Sequence, residues 1–225
     1  MKKAVIILSG GLDSTTCMGI AQAEGYDLYP ITFDYQQRHK IELEKAQEVA
    51  KYYNVNEHKI FDLGFLHEIG GSALTNKDIE VPKKGVTNEI PITYVPGRNL
   101  IFLSIAASYA EVIGAEAIYI GVNALDYSGY PDCRPNFINS VQETIKLGTK
   151  AGVEGKEIII KTPLLHLTKA EIIQKGMELN VPYHLTTSCY EGEEEACGEC
   201  DSCRLRLKGF SEAGFTDPIK YKKSK

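Results

Sequence analysis

Val5-Ile6-Ile7-Leu8 runs without a break into Ser9-Gly10-Gly11-Leu12-Asp13-Ser14. A short continuous apolar run with β-branched residues reads as a strand covered on both faces. The apolar pattern resumes at helical spacing from Ser14 to Glu24, and Gly25 closes it. Between strand and helix lies a turn of glycines and small polar side chains. Such a turn presents unpaired backbone N–H groups with the positive end of a helix dipole behind them, so its natural guest is an anion. Gly10 and Gly11 allow close backbone approach, and the hydroxyls of Ser9, Ser14 and Thr15 add donors. The plainer alternative is a tight turn that starts a helix capped by Ser14 or Asp13. Neither G-x-x-x-x-G-K-[ST] nor G-x-G-x-x-G occurs here, which excludes a Walker A loop and a dinucleotide fingerprint.

The rest of the chain is consistent with a protein that handles small molecules. Its 225 residues, 43% hydrophobic and 24% charged, suffice for one globular domain with a substantial core, or one domain plus a small appendage. A formal net charge of -5 gives no global attraction to nucleic acid, so none is expected as a partner. Lys2 and Lys3 precede only a short apolar run before Ser9, too few residues for a signal peptide. The apolar stretch Leu100 to Ala115 is broken by Ser104, Ser108 and Glu111 and reads as a buried helix, so no membrane is expected either. The expected compartment is the cytoplasm, where the six cysteines are not a disulfide framework.

Strand and helix patterns alternate along the chain. Strands are expected at Ala4 to Leu8, Leu28 to Phe33, Glu57 to Asp62, Ala117 to Val122 and Glu157 to Lys161. Helices are expected at Ser14 to Glu24, Glu42 to Tyr53, Leu100 to Ala115, Phe137 to Thr149 and Thr168 to Leu179, the last with Thr168 as cap and Glu171 three residues on. This order predicts an α/β fold, a doubly wound and mostly parallel sheet with helices on both faces. Residues 64–95, rich in Gly, Pro and Lys, are long for a plain connection and read as a lid or insertion; the loop Asn123 to Asn136 invites the same reading.

Cys189, Cys197, Cys200 and Cys203 follow the pattern C-x7-C-x2-C-x2-C. Two-residue spacings let neighbouring thiolates turn toward one centre, and four thiolates complete a tetrahedral Zn2+ shell with no open position, hence a structural site. An iron–sulfur cluster is the alternative that this spacing also suits. The division expected is an α/β domain over 1–185 and a small C-terminal zinc-binding subdomain over 186–225.

Ser9-Gly10-Gly11-Leu12-Asp13-Ser14 resembles the pyrophosphate loop of the ATP pyrophosphatase superfamily, whose sheet is of the adenine nucleotide alpha hydrolase-like type. That loop grips the leaving pyrophosphate while a nucleophile attacks the α-phosphate. With SGGLDSTT come FDYQQRHKIEL, VPGRN, GVNALDYSGYPDCRPNF, the TPL and TKAEII segments, and SCYEGEEEACGECDSCRLRLKGF. In this order they resemble the 7-cyano-7-deazaguanine synthases over nearly the whole chain. One departure is Gln36, where FDYGQRH would be expected.

The resemblance implies 7-carboxy-7-deazaguanine, ammonia and ATP as substrates, 7-cyano-7-deazaguanine as product, Mg2+ and Zn2+ as cofactors, and a homodimer. It assigns ATP to Leu8, Ser9, Gly10, Gly11, Leu12, Asp13, Ser14, Thr15, Thr16, Cys17 and Met18, with Asp13 holding Mg2+ against the phosphates. Adenine is placed against Phe33 and Asp34. Arg98, after Pro96-Gly97, reads as a clamp for phosphate or carboxylate, or else as a surface ion pair. Asn99 reads as a helix cap. The deazaguanine pocket is expected in the loop after Val122, with Tyr127 or Tyr130 to stack on the base and Asp126 or Asp132 to accept from its N–H edge. Arg38 and His39 are candidates to reach phosphate or carboxylate. Cys133 is a candidate nucleophile made unnecessary by direct adenylation, and Lys161 and Lys169 read as surface lysines before phosphate contacts. A tRNA thiolase or lysidine-forming ligase of the same superfamily, and a non-catalytic nucleotide sensor, are the other functions these motifs allow.

Overall fold

The computed structural model describes residues 2–36, 41–76, 78–79, 90–125, 129–191 and 194–222. Strand β1 (Lys3–Ile7) leads into helix α1 (Leu12–Ala23), followed by β2 (Asp27–Asp34), α2 (Ile41–Tyr52), β3 (Lys59–Asp62) and the short α3 (Phe65–Ile69). Then come α4 (Arg98–Ile113), β4 (Ala117–Tyr119), α5 (Pro135–Gly148), α6 (Lys150–Val153), β5 (Ile159–Lys161), α7 (Lys169–Glu178) and α8 (Asp201–Ala213). The strands form one sheet in the order β3-β2-β1-β4-β5, every neighbouring pair parallel.

Successive side chains of a strand point to opposite faces, and in β1 both sets are apolar. Ala4, Ile6 and Leu8 join the core formed with α1, α2 and α7, whereas Val5 and Ile7 join the core formed with α4 and α5. β4 divides in the same way, with Ala117 and Tyr119 on the α1 side and Ile118, with Ile120 just beyond the strand, on the α4 side. The continuous apolar runs thus reflect a sheet sandwiched between two helical layers.

Helix ends follow local chemistry. α7 carries a complete capping box, in which the Thr168 hydroxyl accepts from Glu171 N and the Glu171 carboxylate accepts from Thr168 N. α4 begins after Gly97 and ends at Gly114, both left-handed. Asn99 lies inside this helix and is not its cap. The expected strand Ala117 to Val122 pairs only over Ala117–Tyr119, because the chain beyond must pass the start of α1. A Cβ on Gly121 would stand 3.0 Å from both Asp13 C and Ser14 N.

A third, smaller core gathers Cys189, Ala196, Cys200 and Cys203 with Ala73 and Ile79 of the segment after α3. Of the segment 64–95, residue 77 and residues 80–89 lie outside the described residues. Among the described residues no helix is long and apolar enough to cross a membrane.

Candidate functional site

Strand order reverses between β1 and β4, since β2 continues to one side of β1 and β4 lies on the other. Such a reversal leaves a crevice beyond the carboxyl ends of the strands. A cavity of about 230 Å³ occupies it, walled by the β1–α1 turn, the end of β2, the start of α4, the segment after β4 and the stretch Thr187 to Tyr190.

The turn is organised from within. Ser9 N donates to Ser14 Oγ (3.1 Å), the Ser9 and Ser14 hydroxyls are 3.0 Å apart, and Thr15 Oγ1 donates to Gly11 O (2.8 Å). Gly11, not Ser14, is the N-cap of α1, and no side chain caps the helix. The first amides of α1 therefore have no acceptor within the helix and are presented at the cavity floor. Gly10 has φ +77, and an added Cβ would stand 2.5 Å from Glu42 O and 2.7 Å from Ala46 N. Its missing side chain is what lets α2 pack under the turn. Leu8, Ser9, Gly11, Leu12, Asp13 and Ser14 line the cavity. Thr15, Thr16, Cys17 and Met18 turn into the protein and are almost fully buried.

Asp13 meets a partner that sequence reasoning misplaced. Lys169 Nζ lies 2.7 Å from Asp13 Oδ1 and 2.9 Å from Oδ2, and Lys169 is 8% exposed, not a surface lysine. Its aliphatic stem crosses α8 at Gly209, where a Cβ would stand 2.3 Å from Lys169 Cγ. Lys161 is instead paired with Glu24 and stacked on Tyr26 and Tyr119, outside the cavity wall.

Arg98 is the first residue of α4 and lines the opposite wall. Its guanidinium sits 5.9 Å from the Phe102 ring and 6.0 Å from the Tyr35 ring, and Nη1 reaches the Tyr35 hydroxyl at 3.5 Å. Nε is buried without a hydrogen-bond partner among the described residues. Burial opposes the Arg98 charge, but Tyr35 and Asp132 more than offset this and hold its pKa above the ordinary value. A buried cation with an unmet donor facing a cavity fits an incoming carboxylate or phosphate. It is not a surface ion pair.

Asp132 is buried and closes the start of α4, accepting from Asn99 N at 3.2 Å, while Asn99 Nδ2 donates to Asp132 O. Burial raises its pKa, and Arg98 opposes that rise. Tyr130 lines the cavity with its hydroxyl 2.6 Å from Thr93 Oγ1. Burial pushes the Cys133 thiol up to about 12, so it stands as a neutral thiol rather than a ready nucleophile. Phe33 and Phe102 stack at 4.0 Å beside the turn and offer an apolar surface for a ring. Asp126, Tyr127, Arg38 and His39 lie outside the described residues. Gln36, where glycine was expected, has φ +54, a conformation that glycine adopts without strain. Its amide N–H donates to Asp34 Oδ1, and a Cβ on Gly64 would meet its side chain at 2.7 Å.

The four cysteines converge. Their sulfur atoms all lie within 4.8 Å of one another, and Glu191, Cys197, Glu199 and Cys200 direct backbone N–H groups at the sulfurs of Cys189 and Cys197. Hydrogen bonds from Cys200 and Cys203 lower the Cys189 pKa, and the Cys189–Cys200 contact raises that of Cys200. Four sulfurs this close together would bind a cation with all four thiols deprotonated. The donor set fits a tetrahedral metal ion. Cys200 occupies the N-cap position of α8 and Cys203 lies in its first turn, a helix the sequence reading did not foresee.

The cysteine cluster and the cavity are joined by the stretch between them. Thr187 N donates to Gly10 O at 3.0 Å, and Thr187, Ser188, Tyr190 and Ser202 line the cavity. Arg206 of α8, 1% exposed, holds Thr186 Oγ1 at 2.7 Å, Ser188 Oγ at 3.4 Å and Tyr183 O at 3.2 Å, and forms a bidentate pair with Asp217.

The fold recurs in solved structures. The NMN synthetase of Francisella tularensis superposes with a TM-score of 0.52 at 16% identity, covering 96% of this chain and 78% of that one. A predicted subunit of tRNA methyltransferase from Methanocaldococcus jannaschii gives a TM-score of 0.51 at 14% identity, covering 100% and 94%. Sequence relatives are much nearer. The 7-cyano-7-deazaguanine synthase of Oceanobacillus iheyensis is 66% identical over 98% of both chains, and that of Acetivibrio thermocellus is 61% identical over 98% of both. The family model of queuosine biosynthesis protein QueC matches residues 3–214, and with full-length relatives at such identity the chain belongs to that family.

Proposed function

We propose that the chain converts 7-carboxy-7-deazaguanine and ammonia to 7-cyano-7-deazaguanine, consuming one ATP for each of two successive activations. The observation that carries this reading is the uncapped start of α1, with Asp13, facing the buried and unsatisfied Arg98 across one cavity. A site with anion-binding ends on both walls suits a triphosphate beside a carboxylate. A carboxylate is a poor electrophile because its leaving group would be oxide, and adenylation removes that fault. Ammonia then displaces AMP to give the amide, and a second adenylation lets the amide oxygen leave as AMP.

In this reading the α1 amides and the hydroxyls of Ser9 and Ser14 hold the departing pyrophosphate, and Asp13, once Lys169 yields one of its oxygens, would hold the Mg2+ that neutralises phosphate charge. Arg98 fixes the substrate carboxylate, while Phe33, Phe102 and Tyr130 supply apolar surface for the two ring systems. The four cysteines hold Zn2+, which supplies cross-linking and no chemistry at the reacting atoms. A homodimer of such chains, with no nucleic acid, completes the proposal.

The test is pyrophosphate release by purified protein with ATP, Mg2+ and ammonia, with and without the carboxylated base. Release that depends on the base, with nitrile formed and the amide accepted as an intermediate without added ammonia, is expected. An amide that accumulates and is never consumed would refute the second activation. Release that needs an RNA acceptor, or nucleotide binding with no release, would replace the reading by a tRNA-modifying ligase or a sensor.

A further inference from the structure

The Asp13–Lys169 pair is an unusual object to find at the mouth of an anion site. A carboxylate beside the α1 amides competes with an incoming phosphate for the same donors and repels it. Here both of its oxygens are taken by one ammonium, at 2.7 and 2.9 Å, so the charge of the carboxylate is compensated on the spot. The ammonium is itself held in place, because Lys169 is the first residue of α7 behind the Thr168 capping box and its stem lies in the groove left by Gly209. Lys169 does not line the cavity and Asp13 does, so the lysine acts on the cavity through the acid.

We propose that Lys169 is a positioning residue that neutralises and orients Asp13, so that the turn accepts a nucleoside triphosphate before any divalent cation is bound. The inference rests on the nucleotide reading given above. It requires that the pair behave as one unit: losing the lysine exposes the nucleotide to an unpaired carboxylate, whereas losing both charges together does not. A carboxylate about 6–12 Å from a phosphate charge, at an effective dielectric of about 20, weakens binding by roughly 10- to 100-fold.

The experiment measures affinity for a non-hydrolysable ATP analogue by calorimetry, in EDTA and again in excess Mg2+, for the parent protein, K169M, K169R and D13N/K169M. Melting curves establish that each is folded, and the double variant carries no unpaired buried charge. The expected result is a loss of about 10- to 100-fold for K169M in EDTA that narrows in Mg2+, near-parental affinity for K169R, and recovery of most of the loss in D13N/K169M. Parental affinity for K169M in EDTA, or a double variant that binds as poorly as K169M, would overturn it. A parent protein that binds no nucleotide in either buffer refutes the nucleotide reading as well, an outcome visible before any variant is compared.

Discussion

Arg206→Met is the perturbation that best probes how the C-terminal region holds the site. Arg206 and Asp217 are 2% and 3% exposed at their side chains and are joined by Nε to Oδ2 at 2.7 Å and Nη2 to Oδ1 at 2.9 Å. Removing one partner of such a pair leaves an uncompensated buried carboxylate, a loss of about 3–5 kcal/mol. In a chain of this size each kcal/mol lowers Tm by roughly 2–4 °C, so the variant should melt roughly 6–20 °C below the parent. Asp217 also accepts from the Tyr221 hydroxyl at 2.6 Å, which an asparagine retains. R206M/D217N should therefore recover more than half of the loss. The local consequence is larger than the global one, because Thr186 and Ser188, which flank Thr187, lose their anchor, and Thr187 N is bound to Gly10 O. Nucleotide affinity should fall in R206M at temperatures where the protein is still folded. The assays are thermal melts by circular dichroism and calorimetric nucleotide titration. Melting within about 2 °C of the parent, or no recovery in the double variant, would show that the pair is not a buried clamp.

Gly10→Ala should cost at least about 1–2 kcal/mol from the left-handed backbone alone and, by forcing α2 away from the turn, abolish pyrophosphate release, as a steady-state assay will show. Metal analysis of anaerobically purified protein should give about one zinc per chain and no acid-labile sulfide; stoichiometric iron would overturn the zinc reading. Chelating that metal should loosen Thr187 to Tyr190 and weaken nucleotide binding in parallel, read by hydrogen exchange and titration. Burial lowers the pKa of His58, which shares a hydrogen bond with Thr32. Its contribution to stability is therefore present above the unfolded value near 6.5 and is lost as pH falls through the folded value. His58→Gln should flatten that acid limb in denaturant titrations between about pH 7 and pH 5, and an unchanged slope would place the titration elsewhere.

Much of the site was legible because its signals are local. A strand, two glycines and a helix start within a dozen residues, and cysteines two residues apart, constrain their own geometry before any distant segment arrives. The same holds for the Thr168–Glu171 box. Missed features were non-local. Lys169 looks like any lysine at a helix start until Gly209, forty residues on, leaves room for its stem to run inward. Nothing around Arg206 marks it as buried, since Asp217 becomes its partner only when the tail returns across α8. Asp132 reads as a loop carboxylate, and only the approach of α4 gives it the Asn99 amide.

Sequence by itself determined the parallel α/β order, the glycine-and-serine turn between β1 and α1, the four-sulfur set and the family, since each depends on residue type at short spacing. Tertiary structure decided which charges meet: Asp13 with Lys169, Arg206 with Asp217, and Arg98 with a donor left unmatched. The reason is physical. A buried ion must find its counter-ion through space, across segments whose separation along the chain carries no trace of their contact.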